Sequence, residues 1–260
     1  MTELEIAQVV ELFANAAERV REANLDGIEL HSANGYLFTQ FLSSAINNRK
    51  GRYGGSLENR ARFLQEVIDA IQRRVGRDFP LIVKVTGHDY HNYAGIWPRP
   101  DGNGIEDAIQ IAKWVAAMGV HAIHVSTGNM FPHPMNPAGP MPVEVARITS
   151  QNLIASGRWT FRNYLAFRYL PRLVSWLWRR RQPFWRNGAI DPDKLECLAA
   201  QDAKCIRAAV RIPVLVTGGF QTAHGIGHVL REGSCDAVTI ARPLLANPDL
   251  AHDLAAGGTH

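Results

Sequence analysis

Three polar side chains that could bind one ligand lie at the end of a short apolar segment: His31, Asn34 and Tyr36. Segment 27–31 is predicted to be a β-strand that ends at His31. Polar groups at the carboxyl end of a buried strand lie where an α/β barrel has its active-site residues. The simpler alternative is a strand that ends in an ordinary polar turn. The sequence that follows decides between these two interpretations.

The residues after this segment continue the pattern of a known family. The runs HSANGY at 31–36 and YGGSLENRARF at 53–63, with segments 40–42 and 47–49, closely resemble the old yellow enzyme family of flavin-dependent ene-reductases. In that family the residues matching His31 and Asn34 hold the substrate carbonyl, and the tyrosine matching Tyr36 supplies a proton. The resemblance therefore implies that these three are the catalytic residues.

The chemistry of an ene-reductase explains why these residue types would be used. An activated alkene accepts hydride only if its carbonyl oxygen is polarised while negative charge develops on it. Two neutral donors three residues apart, such as His31 and Asn34, can stabilise that charge. Tyr36, two residues further on, could protonate the substrate from the side opposite to the hydride. Taken alone, Tyr36 would be interpreted as an aromatic residue at the rim with its hydroxyl in water.

Lys84 is the first candidate cofactor ligand. It lies in the otherwise apolar segment 81–85, where an unpaired ammonium group would cost several kcal/mol, so we expect an anionic or strongly polar partner. The family places a basic residue on this strand against the flavin N1–C2 carbonyl region, and the resemblance implies that role for Lys84. The alternative is a structural ion pair with Glu29.

A phosphate site is predicted where two later strands end. Gly218 and Gly219 follow an apolar segment, and Ala241 and Arg242 follow the next one. Glycines allow backbone N–H groups to approach a phosphate, and the last two loops of a β/α barrel commonly form such a cradle. Arg242 would add a charge-assisted fork, and Ala241 stands where the family usually has glycine. The resemblance implies FMN as the cofactor and NADH or NADPH as the reductant.

Short apolar strands alternate with amphipathic helices along most of the chain, which predicts an α/β fold with a parallel sheet. Five strands are predicted, and the resemblance aligns them with strands four to eight of a (β/α)8 TIM barrel. The fold class is therefore an incomplete TIM barrel that occupies residues 1–260 as one domain, without counterparts of strands one to three. A basic insertion rich in Trp and Arg interrupts it at about 128–191. The predicted strands are 27–31, 81–85, 122–125, 213–216 and 237–240, and the predicted helices are 2–24, 57–75, 105–118, 193–210, 223–231 and 243–255.

The basic insertion allows three interpretations. Between Arg158 and Arg186 there are eight arginines and no acidic residue, interleaved with four tryptophans. We favour a packed amphipathic helix whose apolar side lies on the rest of the protein. Contact with a membrane surface through 158–186 stays open, and nucleic-acid binding is not expected. The predicted apolar side consists of Leu165, Tyr169, Leu173 and Trp176.

Composition excludes several other classes. With 46% hydrophobic residues and a net charge of +4, the 260-residue chain is typical of a globular domain. Neither a secretory signal nor a membrane-length apolar run is present, so we expect a cytoplasmic protein. Three cysteines without CxxC spacing predict buried thiols and no metal site. The run His88, Asp89 and His91 is predicted to be solvated or to face substrate.

The leading functional hypothesis is an FMN-dependent oxidoreductase that passes hydride from NADH or NADPH through FMN to an α,β-unsaturated carbonyl compound. A dienoyl-thioester reductase is the nearest alternative. A third is a non-catalytic partial barrel that needs a complementary chain or self-association, because an open parallel sheet exposes apolar edges. We expect the chain alone to bind FMN weakly, mainly through phosphate, and to show little activity.

Overall fold

A computed structural model describes residues 1–91, 101–129, 164–166, 168–181 and 196–257. The chain divides into two compact units. The first comprises Met1–Asp89, Gly102–Asn129 and Glu196–His260, and it contains the sheet. The second comprises Tyr90–Asp101 and Met130–Leu195. Most of the predicted insertion at 128–191 lies outside the described residues.

Five strands in the described residues form one sheet in the order in which they occur along the chain. Every neighbouring pair is parallel. This sequential parallel order is that of a β/α barrel, so the predicted α/β class of incomplete barrel type is confirmed. The strands are β1 (Ile28–His31), β2 (Leu81–Thr86), β3 (Ala122–Ser126), β4 (Val214–Thr217) and β5 (Ala237–Thr239).

Helices connect the strands and cover one face of the sheet. In the first unit they are α1 (Glu3–Glu22), α2 (Leu37–Leu42), α3 (Leu57–Val75), α4 (Ile105–Ala117), α6 (Ala200–Ala209), α7 (Ala223–Arg231), α8 (Arg242–Ala246) and α9 (Leu250–Ala255). Helix α5 (Pro171–Arg181) belongs to the second unit.

Local signals fix the bounds of the two longest helices. The side chain of Thr2 accepts the Glu5 N–H at 3.2 Å while the Glu5 carboxylate accepts the Thr2 N–H at 2.6 Å, so α1 begins with a capping box. Ser56 caps α3 by accepting the Asn59 N–H at 3.3 Å. Gly76 ends α3 with a φ of 82°, a conformation that glycine adopts without steric cost.

Three predicted elements differ from the observed ones. Helix α2 lies in a segment predicted to be a loop, and α6 begins at Ala200 rather than at 193. The last predicted helix is divided into α8 and α9. Pro248 disfavours helical geometry in the residue before it, and Asn247 instead accepts the Asp249 N–H at 3.0 Å and donates to Asp253 at 2.8 Å.

The two faces of the sheet differ in chemistry. Alternate side chains point to opposite faces of a strand. One face carries the core residues Leu30, Val83, Val85, Ile123, Val125 and Val216, all at most 3% exposed. The other face carries polar groups in neighbouring register, including His31, Lys84 and His124. The polar face therefore lies where a closed barrel would have its interior.

The family motif between α2 and α3 has a structural role. Arg60 is 8% exposed, and its guanidinium donates to the carbonyls of Leu42 at 2.7 Å and Gly55 at 2.6 Å. Asn47 donates to the carbonyls of Phe41 at 2.6 Å and Tyr53 at 2.8 Å. These side chains donate to backbone carbonyls around the loop, so they hold the segment between α2 and α3 in place.

The cysteine prediction is correct for one residue in three. Cys235 is buried, whereas Cys197 and Cys205 are half-buried. Burial raises the pKa of the Cys197 thiol to about 11, which makes it a poor nucleophile at neutral pH.

The apolar side predicted for the insertion is exposed rather than packed. Leu165, Tyr169, Leu173 and Trp176 are 36%, 69%, 47% and 51% exposed. The prediction that this side lies on the rest of the protein is therefore wrong for these four residues.

Candidate active site

The centre of the candidate site is a row of three residues on adjacent strands. His31, the last residue of β1, pairs in register with Lys84 of β2, which in turn pairs with His124 of β3. Because paired residues in a parallel sheet point to the same face, the three side chains lie side by side on the polar face. The predicted residues His31 and Lys84 are thus brought together, and His124 joins them.

His31 has the character of a neutral hydrogen-bond donor. The backbone N–H of Ala33 donates to its Nδ1 at 3.3 Å, so in the neutral ring the proton is on Nε2. Burial and the nearby Lys84 ammonium lower the pKa of His31, which favours the neutral ring at pH 7. The ring packs edge-on against Tyr36, with 4.9 Å between ring centroids. Its Nε2–H is therefore available to a ligand carbonyl.

Lys84 is half-buried on β2, and its surroundings oppose its charge. Burial lowers the pKa of the Lys84 ammonium, and the Glu29 carboxylate partly offsets this effect. Glu29 does not form the ion pair considered in the sequence, because its Oε2 contacts His124 Nδ1 at 2.8 Å instead. A half-buried ammonium group is stabilised by an opposite charge. An anionic ligand group beside Lys84 would therefore stabilise its charged form.

His124 is also the centre of a hydrogen-bonded line of three residues that crosses the same face of the sheet. His124 is 5% exposed, and its Nδ1 and Nε2 lie 2.8 Å from Glu29 Oε2 and 2.8 Å from Thr239 Oγ1. The line joins β1, β3 and β5, the alternate strands that share a layer inside a β/α barrel. The His124 hydrogen bond lowers the pKa of Glu29, so the carboxylate is charged at neutral pH.

The sequence contained a signal for this line that the prediction missed. His124 interrupts an apolar strand just as Lys84 does, and Glu29 lies two residues before His31 on the same face. Glu29 was considered only as a partner of Lys84 on the adjacent strand, whereas its contact with His124 crosses β2.

Asn34 uses its side chain to hold the turn after β1. Its backbone is left-handed, with a φ of 57°, and its Nδ2 donates to the carbonyls of Thr127 at 3.1 Å and Gly128 at 3.3 Å. Its Oδ1 accepts the hydroxyl of Ser126 at 3.2 Å. Both amide hydrogens therefore have protein partners. Asn34 could donate to a substrate carbonyl only by releasing one of these backbone carbonyls.

Tyr36 and a neighbouring cavity lie at the free side of β1. Tyr36 is 62% exposed and immediately precedes α2. A cavity of about 350 Å³ has a mostly apolar lining from α1, β1 and α2, and His31 and Tyr36 contribute to its wall. Among the described strands, β1 pairs only with β2, so this cavity follows an open edge of the sheet.

The predicted phosphate residues follow β4 and β5. Gly218 and Gly219 have φ values of 131° and 76°, which favour glycine, and neither N–H bonds to another described residue. Ala241 precedes α8, and Arg242 is its exposed first residue. These residues lie at the same end of the sheet as His31, since all of them follow carboxyl ends of parallel strands. Strand β3 separates them from Lys84.

The run after β2 is buried rather than solvated. Asp89 and His91 are 2% and 7% exposed, and the Asp89 carboxylate accepts the Asn103 N–H at 2.8 Å. His88 Nδ1 lies 2.9 Å from the Asp202 carboxylate, which raises the pKa of His88. Of the two predicted alternatives, solvated or facing substrate, the first is therefore wrong for Asp89 and His91, and the second stays a prediction. Within the described residues, no group of three or more His, Cys, Asp or Glu side chains could hold a metal ion.

A parallel sheet in sequential order, with polar groups at its carboxyl edge, has the architecture in which β/α barrels carry their active sites. The model of the NADH:flavin oxidoreductase / NADH oxidase family matches residues 1–160. The chain belongs to this family. The predicted family is thereby confirmed, together with FMN and a nicotinamide nucleotide as the cofactors of its members.

Individual relatives match parts of the chain. An NADPH dehydrogenase of Geobacillus sp. (strain WCH70) is 42% identical over 132 residues, which are 51% of this chain and 36% of that protein. An NADH oxidase of Thermoanaerobacter brockii is 29% identical over 245 residues, which are 94% of this chain and 28% of that protein. The chain therefore spans about a third of the length of these curated relatives.

A solved structure shares the fold. The chain resembles 2-naphthoyl-CoA reductase, solved in complex with 2-naphthoyl-CoA, with a TM-score of 0.70 and 23% identity. The match covers 99% of this chain and 30% of that one. Among the described helices, none has both the length and the apolar character that a membrane span requires.

Proposed function

We propose that this chain carries the substrate and flavin site of an FMN-dependent oxidoreductase that transfers hydride from NADH or NADPH to an α,β-unsaturated carbonyl compound. The observation that carries the proposal is the register pair of His31 and Lys84 at the carboxyl edge of the sheet. It supplies a neutral donor and a cation side by side, within a chain that belongs to a flavin oxidoreductase family.

The residues present fit FMN in chemical type. Lys84 offers a half-buried cation to an electron-rich part of the ring, while Arg242 and the N–H groups of Gly218 and Gly219 suit a phosphate. When bound, FMN would supply the hydride-transfer chemistry. Ala241, directly before Arg242, would contribute its backbone to the same phosphate site.

His31 orients and polarises the substrate in this proposal. Its Nε2–H is a donor on a ring held by the Ala33 N–H, so it can bind the substrate carbonyl oxygen and stabilise the negative charge that develops there. Asn34 would add a second donor by exchanging its longer hydrogen bond, to the Gly128 carbonyl at 3.3 Å, for the substrate.

Tyr36 is the proton donor of the proposed reaction. Its ring packs against His31, so its hydroxyl belongs to the same site as the carbonyl donor, and its exposure lets it exchange protons with water. The substrate of this site would be a small enone. A thioester-linked enone, as for a dienoyl-thioester reductase, presents the same carbonyl to His31.

The open edge of β1 favours a second candidate. The apolar cavity beside β1 could receive a complementary chain or a second copy, in which case the isolated chain would be a non-catalytic partial barrel. The flavin spectrum of the purified chain separates the two candidates. A change in the FMN spectrum that saturates as the chain is added supports the first candidate, and no change at the highest chain concentration supports the second.

Turnover tests the catalytic assignment. Purified chain with added FMN and NADPH or NADH is assayed for enone reduction, and His31→Ala should lower any turnover about a hundredfold by removing one oriented donor. His252→Ala, which changes an exposed histidine of α9, is the matched control. Equal loss in both variants, or none in His31→Ala, would contradict the role of His31.

A further inference from the structure

The described part of the second unit exposes a row of apolar side chains on one side of a helix. The Leu170 N–H donates to the Ala166 carbonyl at 2.9 Å, and the Val174 N–H donates to the Leu170 carbonyl at 2.9 Å. These i to i−4 hydrogen bonds continue the helical path from 164–166 into α5. The described residues 164–166 and 168–181 are therefore compared by helical spacing.

We call the exposed row the apolar stripe: Leu165, Tyr169, Leu173 and Trp176. The spacings of four, four and three residues place the four side chains along one side of the helix. All four are at least 36% exposed, whereas Val174, on the opposite side, is 3% exposed. Val174 is therefore buried within the chain, whereas the four side chains of the stripe, and Leu170 at 53% exposure, are exposed.

Arginines border the stripe. Arg168 and Arg172 are exposed and lie one helical turn apart on the row beside it. The Arg168 guanidinium lies 5.8 Å from the ring centroid of Tyr169, so cation and aromatic ring form one surface. The sequence has no acidic residue from Arg158 to Arg186. The charge of this segment is therefore uniformly positive.

Exposed apolar side chains beside arginines, in a sequence segment without acidic residues, restrict the kind of partner. A second copy of the same surface would bring arginines against arginines, which is unfavourable. A nucleic acid would satisfy the arginines and stack on Trp176 or Tyr169, but it offers nothing apolar to Leu165 and Leu173. An anionic bilayer surface offers both phosphate groups and an acyl region at the same depth as such a helix.

We propose that the described residues 164–166 and 168–181 bind the surface of an anionic phospholipid bilayer as an interfacial helix, with the apolar stripe in the interface and Arg168 and Arg172 against lipid phosphates. The helix lies in the plane of the surface and does not cross the bilayer. Binding of this kind would keep the protein at membranes independently of flavin or substrate.

Vesicle flotation of the full chain tests the proposal. The chain should float with vesicles of phosphatidylcholine mixed with phosphatidylglycerol and stay behind with vesicles of phosphatidylcholine alone. Added salt should release it, since salt screens charges at a surface. Equal binding to both vesicles, or binding to neither, would overturn the proposal.

Two double variants separate the apolar and ionic contributions. Arg168→Gln with Arg172→Gln should weaken binding to the anionic vesicles about thirtyfold, given the typical contribution of a basic residue near such a surface. Tyr169→Ser with Trp176→Ser should weaken it at least as much. Leu245→Ser and Arg211→Gln are matched controls, because they change an exposed leucine and an exposed arginine of the first unit.

Two further measurements keep the test decisive. If the serine variant fails to fold, lipids brominated on their acyl chains should still quench tryptophan fluorescence of the unaltered chain, and no quenching would overturn the proposal. Tighter binding to a single-stranded oligonucleotide than to anionic vesicles, with no effect of the serine substitutions, would also overturn it. FMN affinity should be the same in all variants, which separates this surface from the flavin site.

Discussion

The β1–β3 side of the candidate site and its β4–β5 side are built in opposite ways. On the first, His124 is 5% exposed and each of its ring nitrogens has a partner, and the Asn34 amide has partners at three backbone or side-chain groups. On the second, Arg242 is exposed, and the N–H groups of Gly218 and Gly219 have no partner among the described residues.

This difference suggests a division of labour. Groups already held by the protein lose little freedom when a ligand binds, so they can orient a reacting carbonyl accurately. N–H groups without a partner among the described residues and an exposed guanidinium become ordered only when a ligand binds them. Such groups suit the binding of a phosphate. Substitutions on the first side should therefore cost folding stability, and substitutions on the second should cost ligand affinity alone.

The largest effect should come from His124→Ala. The substitution opens a small cavity and removes the partner of Glu29 and Thr239, so the free energy of unfolding should fall by about 2 to 4 kcal/mol. Urea denaturation followed by circular dichroism measures it. His228→Ala, which changes an exposed histidine of α7, is the control and should change stability little. If His124→Ala and His228→Ala lost the same free energy of unfolding, the proposed difference between the two sides of the site would be contradicted.

Asn34→Ala should have the second largest effect. A matched control exists because Asn24 has nearly the same left-handed backbone, with φ values of 55° and 57° for Asn24 and Asn34. Asn24→Ala and Asn34→Ala therefore share the backbone cost of alanine, and only Asn34→Ala also loses side-chain hydrogen bonds. We expect the free energy of unfolding to fall by about 1 to 3 kcal/mol more in Asn34→Ala than in Asn24→Ala. Equal losses would show that the Asn34 amide does not hold the turn.

Much of the fold was predictable because its signals are local. Ser56 and Gly76 mark both ends of α3, and the strands are short apolar segments that the chain repeats between helices. The division of the last helix was missed because the bonds of Asn247 compete with helix formation before Pro248.

The site was predictable only in part. His31 and Lys84 each stand out within their own strand, and the sheet then brings them together. The line from Glu29 through His124 to Thr239 was missed because it joins three strands that are far apart in sequence. The hydrogen bonds of the Asn34 side chain depend on the conformation of its loop, which the spacing of residues in the sequence does not predict.

FMN and riboflavin should distinguish the two sides of the site. Arg242→Ala should weaken FMN about tenfold and leave riboflavin unchanged, since riboflavin lacks the phosphate. Lys84→Met should weaken both ligands, because Lys84 is placed to face the ring. Quenching of flavin fluorescence measures each affinity, with Arg211→Ala and Lys113→Met as exposed controls. If Lys84→Met weakened FMN but not riboflavin, Lys84 would contact the phosphate rather than the ring, and the assignment of the two sides would be wrong.

The smallest effect should be a change in acid stability caused by Glu29→Gln. The hydrogen bond with His124 lowers the pKa of Glu29 from its usual value of 4.5. The folded state therefore binds fewer protons than the unfolded state in this range, so the charged carboxylate stabilises the fold above the unfolded pKa. That contribution is lost as pH falls through the lowered pKa. The urea midpoints of Glu29→Gln and the unaltered chain should differ at pH 7 and converge only once the pH falls below the lowered pKa of Glu29. Glu22→Gln, at the exposed end of α1, should show no such convergence. If Glu29→Gln also leaves the midpoint unchanged at pH 7, the hydrogen-bonded line does not contribute to the rigidity of the β1–β3 side.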